Sequence, residues 1–322
     1  MIEAIKTREL ITLQSSGTLL RATCHWPQQS DWGLQEGRKE NVIGVLFLNS
    51  MSLPRCATGD SAVYWAESFA ACGYPAFRID MAGLGDSDGD IPDDLLGVIN
   101  SGEYAKPLPS VVKDLVKRFH LSGLVVVGHC AGTVSALFAA AASKECKGLV
   151  LLDPFFHLPK MVRTKTRDDL AEWSSKSSFG GVARKVYNHL KVIRRRFRRN
   201  ALPANANRSL LKEWEKIASG KMPVLLFKAP GTDSPNAKRN EGEFDYIEHI
   251  LKLAGPRNEV RVQSIAGTDH SFANRMGRAA VREHVERWLG TRFPLTRPES
   301  GIAKSKAATD HMITDKNHAQ CL

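Results

Sequence analysis

The stretch Leu124-Val-Val-Val-Gly-His-Cys-Ala-Gly132, continued by Thr133-Val-Ser-Ala-Leu-Phe-Ala-Ala-Ala-Ala, constrains the fold more than any other part of the chain. An unbroken apolar run rich in β-branched residues, stopped by glycine and followed by strong helix formers, is the pattern of a buried parallel strand turning directly into a helix. Cys130 falls at the bend. Gly128 and Gly132 flank it with the spacing Gly-x-Cys-x-Gly, and small residues are needed there because a tight strand-to-helix turn brings backbone against backbone. A thiol displayed on such a corner is a candidate nucleophile. A buried cysteine in a glycine-rich turn is the competing structural reading.

The rest of the chain repeats the same rhythm. Glu3 to Gln14 and Thr18 to Trp26 are β-like runs split by Ser15-Ser16-Gly17, which reads as a hairpin. Val42 to Leu48 is an apolar strand followed by the loop Asn49-Ser50-Met51-Ser52. Ser61 to Cys72 has helical spacing and ends at Gly73. Tyr74 to Asp80 is the next strand, Ser110 to His120 a helix, and Lys147 to Asp153 a further buried strand closed by Pro154. Alternating strands and helices at this interval predict an α/β fold with a mostly parallel sheet covered on both faces. The alternation stops from Phe155 to Gly220 and resumes at Pro223 to Phe227, with a helix at Glu243 to Ala254, a strand at Glu259 to Ile265 and a last helix from Gly277 to Leu289. The expected organisation is a core built from residues 1–154 and 221–296, an inserted basic helical cap at 155–220, and a polar tail at 297–322 expected to be disordered.

Composition bounds the class. At 322 residues the chain is long enough for one large α/β domain with an insertion. The start, Met1-Ile-Glu-Ala-Ile-Lys6, lacks the zones of a signal peptide, and no apolar run is long enough to span a bilayer, so the expected location is cytoplasmic. Six cysteines are scattered with no CxxC pair and no zinc spacing, so no metal is expected and reduced thiols are the default.

The Gly-x-Cys-x-Gly corner resembles the nucleophile elbow of the α/β-hydrolase superfamily, with cysteine where serine is usual. Arg78-Ile-Asp-Met-Ala-Gly-Leu-Gly-Asp-Ser-Asp-Gly89 is similar to the corresponding loop of serine-aminopeptidase-like and acyl-hydrolase members, and the match runs from about Val42 to Leu289. A narrower resemblance is to the exosortase-system-associated hydrolases. It rests on Gly-x-Cys before a small-residue helix, on Gly148-Leu-Val-Leu-Leu-Asp-Pro154, and on a Tyr- and Arg-containing stretch after it. Dienelactone hydrolases and polyhydroxyalkanoate synthases also carry cysteine at this corner.

What the resemblance implies is an α/β-hydrolase fold and a triad in the order nucleophile, acid, histidine. Cys130, Asp233 and His270 follow three strands in that order. Asp153 also ends a strand and is the alternative acid. A cysteine needs such partners because its thiolate attacks, while a free thiol is mostly protonated at neutrality. A histidine within reach and the amino end of the helix starting at Ala131 both favour the anion. The oxyanion of an acyl-transfer intermediate needs backbone donors. Ala131 is one candidate, and Met51, then Ser52, the other, in a loop where many relatives carry His-Gly and this chain has Asn49-Ser50. Asp269 reads as a solvated loop residue. Asp80, Gly83, Gly85 and Asp86 read as structural. No cofactor is implied.

The excess of positive charge sits in one place. From Leu158 to Gly220 there are 16 Lys or Arg against 5 Asp or Glu, an excess of 11 that equals the net charge of the whole chain. Val186, Leu190, Ile193 and Phe197 form one helical stripe amid Arg184, Lys185, Lys191, Arg194, Arg195, Arg196, Arg198 and Arg199. A solvated cap helix accounts for this pattern. So does docking of an acidic carrier protein, a coenzyme A thioester or an anionic membrane surface, the last not favoured. Nucleic acid is not expected, because no base-stacking aromatics are interleaved.

Three functional readings remain open from sequence. The first is an acyl hydrolase of thioesterase or esterase type, acting on an acyl ester or thioester through a thioester on Cys130. The second is an acyltransferase that passes the same acyl group to an amine, alcohol or thiol. The third is a binding module that keeps the fold without the chemistry.

Overall fold

A computed structural model describes residues 7–15, 17–27, 42–51, 53–158, 202–230, 244–256 and 258–295. Among these residues eight strands form one sheet in the order β1-β2-β4-β3-β5-β6-β7-β8. The strands are β1 (Arg8–Ser15), β2 (Thr18–His25), β3 (Ile43–Leu48), β4 (Ala76–Ile79), β5 (Gly123–His129), β6 (Cys146–Leu152), β7 (Val224–Lys228) and β8 (Val260–Ser264). β1 and β2 form the expected hairpin, and β2 runs antiparallel to β4. From β4 to β8 every pairing is parallel.

Parallel neighbours force the chain to cross back over a face between strands, and helices make those crossings. They are α1 (Ser61–Ala71), α2 (Leu95–Ser101), α3 (Leu108–Arg118), α4 (Ala131–Ala142), α5 (Arg208–Ser219) and α6 (Tyr246–Ala254), and α7 (Arg275–Arg292) follows the last strand. On one face Trp65 and Phe69 of α1 and Val281, Val285 and Trp288 of α7 pack against Val45, Phe47, Val125, Val127, Val150 and Phe227. On the other, Val111, Val134, Leu137, Leu210 and Trp214 cover Leu46, Leu124, Val126, Leu149 and Leu226. Each such side chain contributes roughly 1.5–3 kcal/mol on leaving water.

β5 is buried at all seven of its positions, which is why its sequence shows no alternation: both faces are covered, and the run stays apolar until His129 at its end. The helix α2 went unpredicted in the sequence. It is a short helix that Asp94 starts by accepting a hydrogen bond from the Gly97 N–H.

Part of the stretch assigned to the cap belongs to the layer of helices on the sheet. α5 buries Leu210, Leu211, Trp214 and Ile217. Trp214 Nε1 donates to the Ile250 carbonyl at 2.8 Å, and Asn207, which caps α5, donates to the Asn100 carbonyl at 2.9 Å. The rest of the cap with its basic helix, and the tail at 297–322, lie outside the described residues. Among the described residues no helix is long and apolar enough to cross a membrane.

Candidate active site

Loops at the carboxyl ends of parallel strands collect along one edge of such a sheet, and three of them converge here. β5 ends at His129 and α4 begins at Ala131, so Cys130 is the whole turn. Its backbone is held at φ 52°, ψ −119°, a conformation that costs a non-glycine residue about 1–3 kcal/mol. Several groups hold it there. Its N–H donates to Leu152 O at 3.0 Å, and its carbonyl accepts from the Thr133 N–H at 2.9 Å and from the Thr133 hydroxyl.

The two flanking glycines have steric reasons. A Cβ on Gly128 would lie 2.6 Å from Thr133 Cα, and one on Gly132 would run into the Leu48 carbonyl oxygen. The second contact shows that the loop after β3 crosses directly over the start of α4.

His270 lies in the loop after β8. Its Nδ1 is 2.6 Å from Asp153 Oδ2. With Nδ1 engaged by the carboxylate, Nε2 is the nitrogen left for the hydrogen bond between the ring and the Cys130 sulphur. Asp153 is fully buried at the end of β6 with φ at 50°, and its N–H donates to Phe227 O at 2.9 Å. The loop that carries His270 is braced at both ends. Asn274 caps α7 and reaches back to the Gly267 carbonyl, while Phe272 is buried edge-on against Phe227. Asp269 is turned into its own loop, accepting from the Ser271 N–H at 2.9 Å and the Ser271 hydroxyl at 2.6 Å.

The electrostatics follow from these contacts. Burial by itself would push the Cys130 thiol up. The hydrogen bond and charge of His270, the Ser50 hydroxyl and the Ala131 N–H outweigh it, and the thiol titrates below its ordinary value. Burial likewise works against a charged His270, yet Asp153 and the Cys130 sulphur more than offset it and carry the imidazole up to about 10. The two groups move in opposite directions, each favouring its charged form, thiolate for Cys130 and imidazolium for His270. The amino end of α4, with its free N–H groups, favours the same anion.

The loop after β3 supplies the opposite wall. Ser50 reaches the sulphur with its hydroxyl. Met51 turns away from the strand with φ at 33° and its side chain 37% exposed. Arg55 fixes this loop from behind: its N–H donates to Asp80 Oδ1 at 2.5 Å and its guanidinium pairs with Asp80 and with Asp86, the latter at 2.7 Å. Gly85, at φ 53°, leaves no room for a Cβ beside the Asp80 carboxylate. These residues after β4 therefore act as the foundation of the loop next to Cys130.

Of the residues singled out in the sequence, Cys130, His270 and Ala131 come together, and the carboxylate that meets His270 is Asp153. Asp233 and Ser52 lie outside the described residues. Ser50 and His129, both beside Cys130 or its partner, escaped the sequence reading. Ser50 carried a signal, since it stands where many relatives have glycine. His129 carried none, because a polar residue ending a buried strand is compatible with several roles. Among the described residues no group of three or more His, Cys, Asp or Glu is placed to hold a metal ion.

A family model described as the alpha/beta hydrolase fold matches residues 53–233. No curated protein matches the chain by sequence. Among solved structures it is similar to the esterase Pf2001 of Pyrococcus furiosus, with a TM-score of 0.58 at 16% identity over 88% of this chain and 92% of that one. It is similar to Est1E from Butyrivibrio proteoclasticus, solved with bound ferulic acid, with a TM-score of 0.55 at 17% identity over 88% and 98%. A dienelactone hydrolase from Anabaena variabilis gives 0.52 at 15% identity over 88% and 97%. At these identities the likeness concerns the fold.

Proposed function

Because the chain belongs to the alpha/beta hydrolase fold family, we propose that it is an acyl hydrolase acting on esters or thioesters through a covalent thioester on Cys130. The observation that carries this reading is the continuous contact from Asp153 through His270 to the Cys130 sulphur, at the amino end of α4. The thiolate attacks the acyl carbon and pushes the carbonyl electrons onto oxygen. The Ala131 N–H and the loop Asn49 to Met51 are the candidate donors to that oxyanion. As the intermediate collapses, the bond to the leaving group breaks and the His270 imidazolium gives it a proton.

Deacylation runs the same steps with water. His270, now neutral, takes a proton from a water that attacks the thioester carbon. The bond to sulphur breaks, the acid departs, and thiolate and imidazolium are restored. Asp153 holds the ring tautomer and supports its positive charge throughout. The esterase neighbours, one of them solved with ferulic acid, are consistent with an ester substrate.

Turnover of an aryl ester and of an acyl thioester by the wild-type chain, Cys130→Ala and His270→Ala tests the reading. Both variants should lose at least about a thousandfold in kcat/KM, the scale for removing a nucleophile or its base. Unchanged turnover in Cys130→Ala contradicts it.

A further inference from the structure

We propose that His129, the residue before Cys130, is a positioning residue: its neutral ring ties the main chain of His270 to the end of β5 and so holds the imidazole against the sulphur. The inference rests on the reading of Cys130 and His270 given above.

His129 is 4% exposed, and its Nε2 lies 3.0 Å from the His270 carbonyl oxygen. A carbonyl can only accept, so Nε2 carries the ring proton and Nδ1 presents a bare lone pair. That Nδ1 is buried without a hydrogen-bond partner. Leaving a buried nitrogen unsatisfied costs about 1–3 kcal/mol. A phenylalanine beside Phe272, whose ring is 6.4 Å away and edge-on, would escape that cost. Packing alone therefore does not account for an imidazole here.

What an imidazole adds is a tether. Asp153 holds the His270 ring at Nδ1, and His129 holds the His270 backbone from the residue next to the nucleophile. Two anchors on different parts of one residue fix both its position and its orientation. The tether must also be uncharged, since the two rings are 5.7 Å apart. Burial, together with the charge of His270, outweighs the His270 carbonyl and the nearby Asp153 and Asp269, lowering His129 to about 4, so it stays neutral beside the imidazolium.

The test follows the pH dependence of iodoacetamide alkylation at Cys130 in the wild type, His129→Gln, His129→Asn and His129→Phe, with a thermal melt of each. The Gln amide nitrogen reaches about as far as Nε2, whereas that of Asn stops short. His129→Asn and His129→Phe should slow alkylation at neutral pH by about tenfold or more, with the thiol titrating higher, while His129→Gln stays near wild type. His129→Phe should do so without a matching loss of melting temperature. Wild-type rates and pH dependence in the Asn and Phe variants overturn the inference. A wild-type Cys130 no more reactive than the exposed Cys72 overturns the underlying reading and the inference with it. A reactive Cys130 indifferent to residue 129 overturns the inference alone.

Discussion

The carboxylate of Asp153 and the imidazole of His270, 117 residues apart in the chain, meet at 2.6 Å. Asp153 directly follows β6, which pairs with β5, so Cys130 and Asp153 leave the sheet on adjacent strands. Of the two acids weighed from sequence, Asp153 is the one placed against His270, while Asp233 lies outside the described residues. Asp153→Asn should lower kcat by at least about a hundredfold, because the imidazole loses the group that fixes its tautomer. On the proposed reading, with Asp153 as the acid, Asp233→Asn should leave turnover within about threefold, the ordinary range for a residue outside the triad. Steady-state kinetics of the two variants on one aryl ester checks both.

The charge state of the Cys130–His270 pair predicts a pH profile. The thiol titrates below its ordinary range, so the thiolate survives to lower pH than in a free cysteine and is lost as the pH falls through that depressed value. The imidazole is raised to about 10, so the imidazolium that protonates the leaving group is lost only as the pH rises through about 10. Turnover should be bell-shaped between those limits, with macroscopic values that belong to the pair. Alkylation of Cys130, which needs only the thiolate, should show the acid limb alone. In His270→Ala that limb should move upward, which rate measurements from acid to alkaline pH would show.

Close backbone approach at the corner predicts the effect of one methyl group. In Gly132→Ala the added carbon meets the Leu48 carbonyl. Relief requires moving the loop after β3, and that loop carries Ser50 and the candidate second oxyanion donor. The expected result is a loss of roughly 1–3 kcal/mol in stability, the scale of overpacking, and a fall in kcat larger than any change in KM. Chemical denaturation and kinetics on the same preparation separate the two effects.

The strands and the corner were legible because their physics is local. β5 and β6 read directly as buried runs, and Gly128 and Gly132 marked the turn that backbone crowding demands. Cys130 and His270 were legible because each follows a strand end. The choice of acid was not, because Asp153 and Asp233 both follow parallel strands, and the contact of Asp153 with His270 spans 117 residues that no local pattern connects. Arg55 was missed for a similar reason: an arginine in a loop carries no local sign that it will pair with Asp80, 25 residues on. α5 was assigned to the cap because the strand–helix alternation stops over the Arg-rich stretch from Phe155 to Gly220, while its Leu210, Leu211 and Trp214 are buried in the core.

Two buried histidines predict how stability responds to acid. Burial, aided by the charge of Arg78, which donates through Nε to its Nε2 at 2.9 Å, and of Arg8, lowers His25 to about 3. Burial lowers His129 to about 4. Below the ordinary value near 6.5 the unfolded chain binds protons that the folded one refuses, so stability falls as the pH falls, by at most about 1.4 kcal/mol per pH unit for each histidine. His270 adds nothing to this slope, because its raised value leaves it protonated in both states there. His25→Gln, whose amide oxygen can still accept from Arg78, should flatten the decline between neutral pH and about pH 5. Melting temperatures of the variant and the wild type across that range provide the check.

The most direct measurement is the intact mass of the chain after rapid acid quench from an aryl ester whose acyl thioester hydrolyses slowly. The account predicts one added acyl group, mapped by peptide fragmentation to Cys130 and absent from Cys130→Ala. An adduct on any other residue, or turnover that persists in Cys130→Ala with no adduct formed, would contradict it.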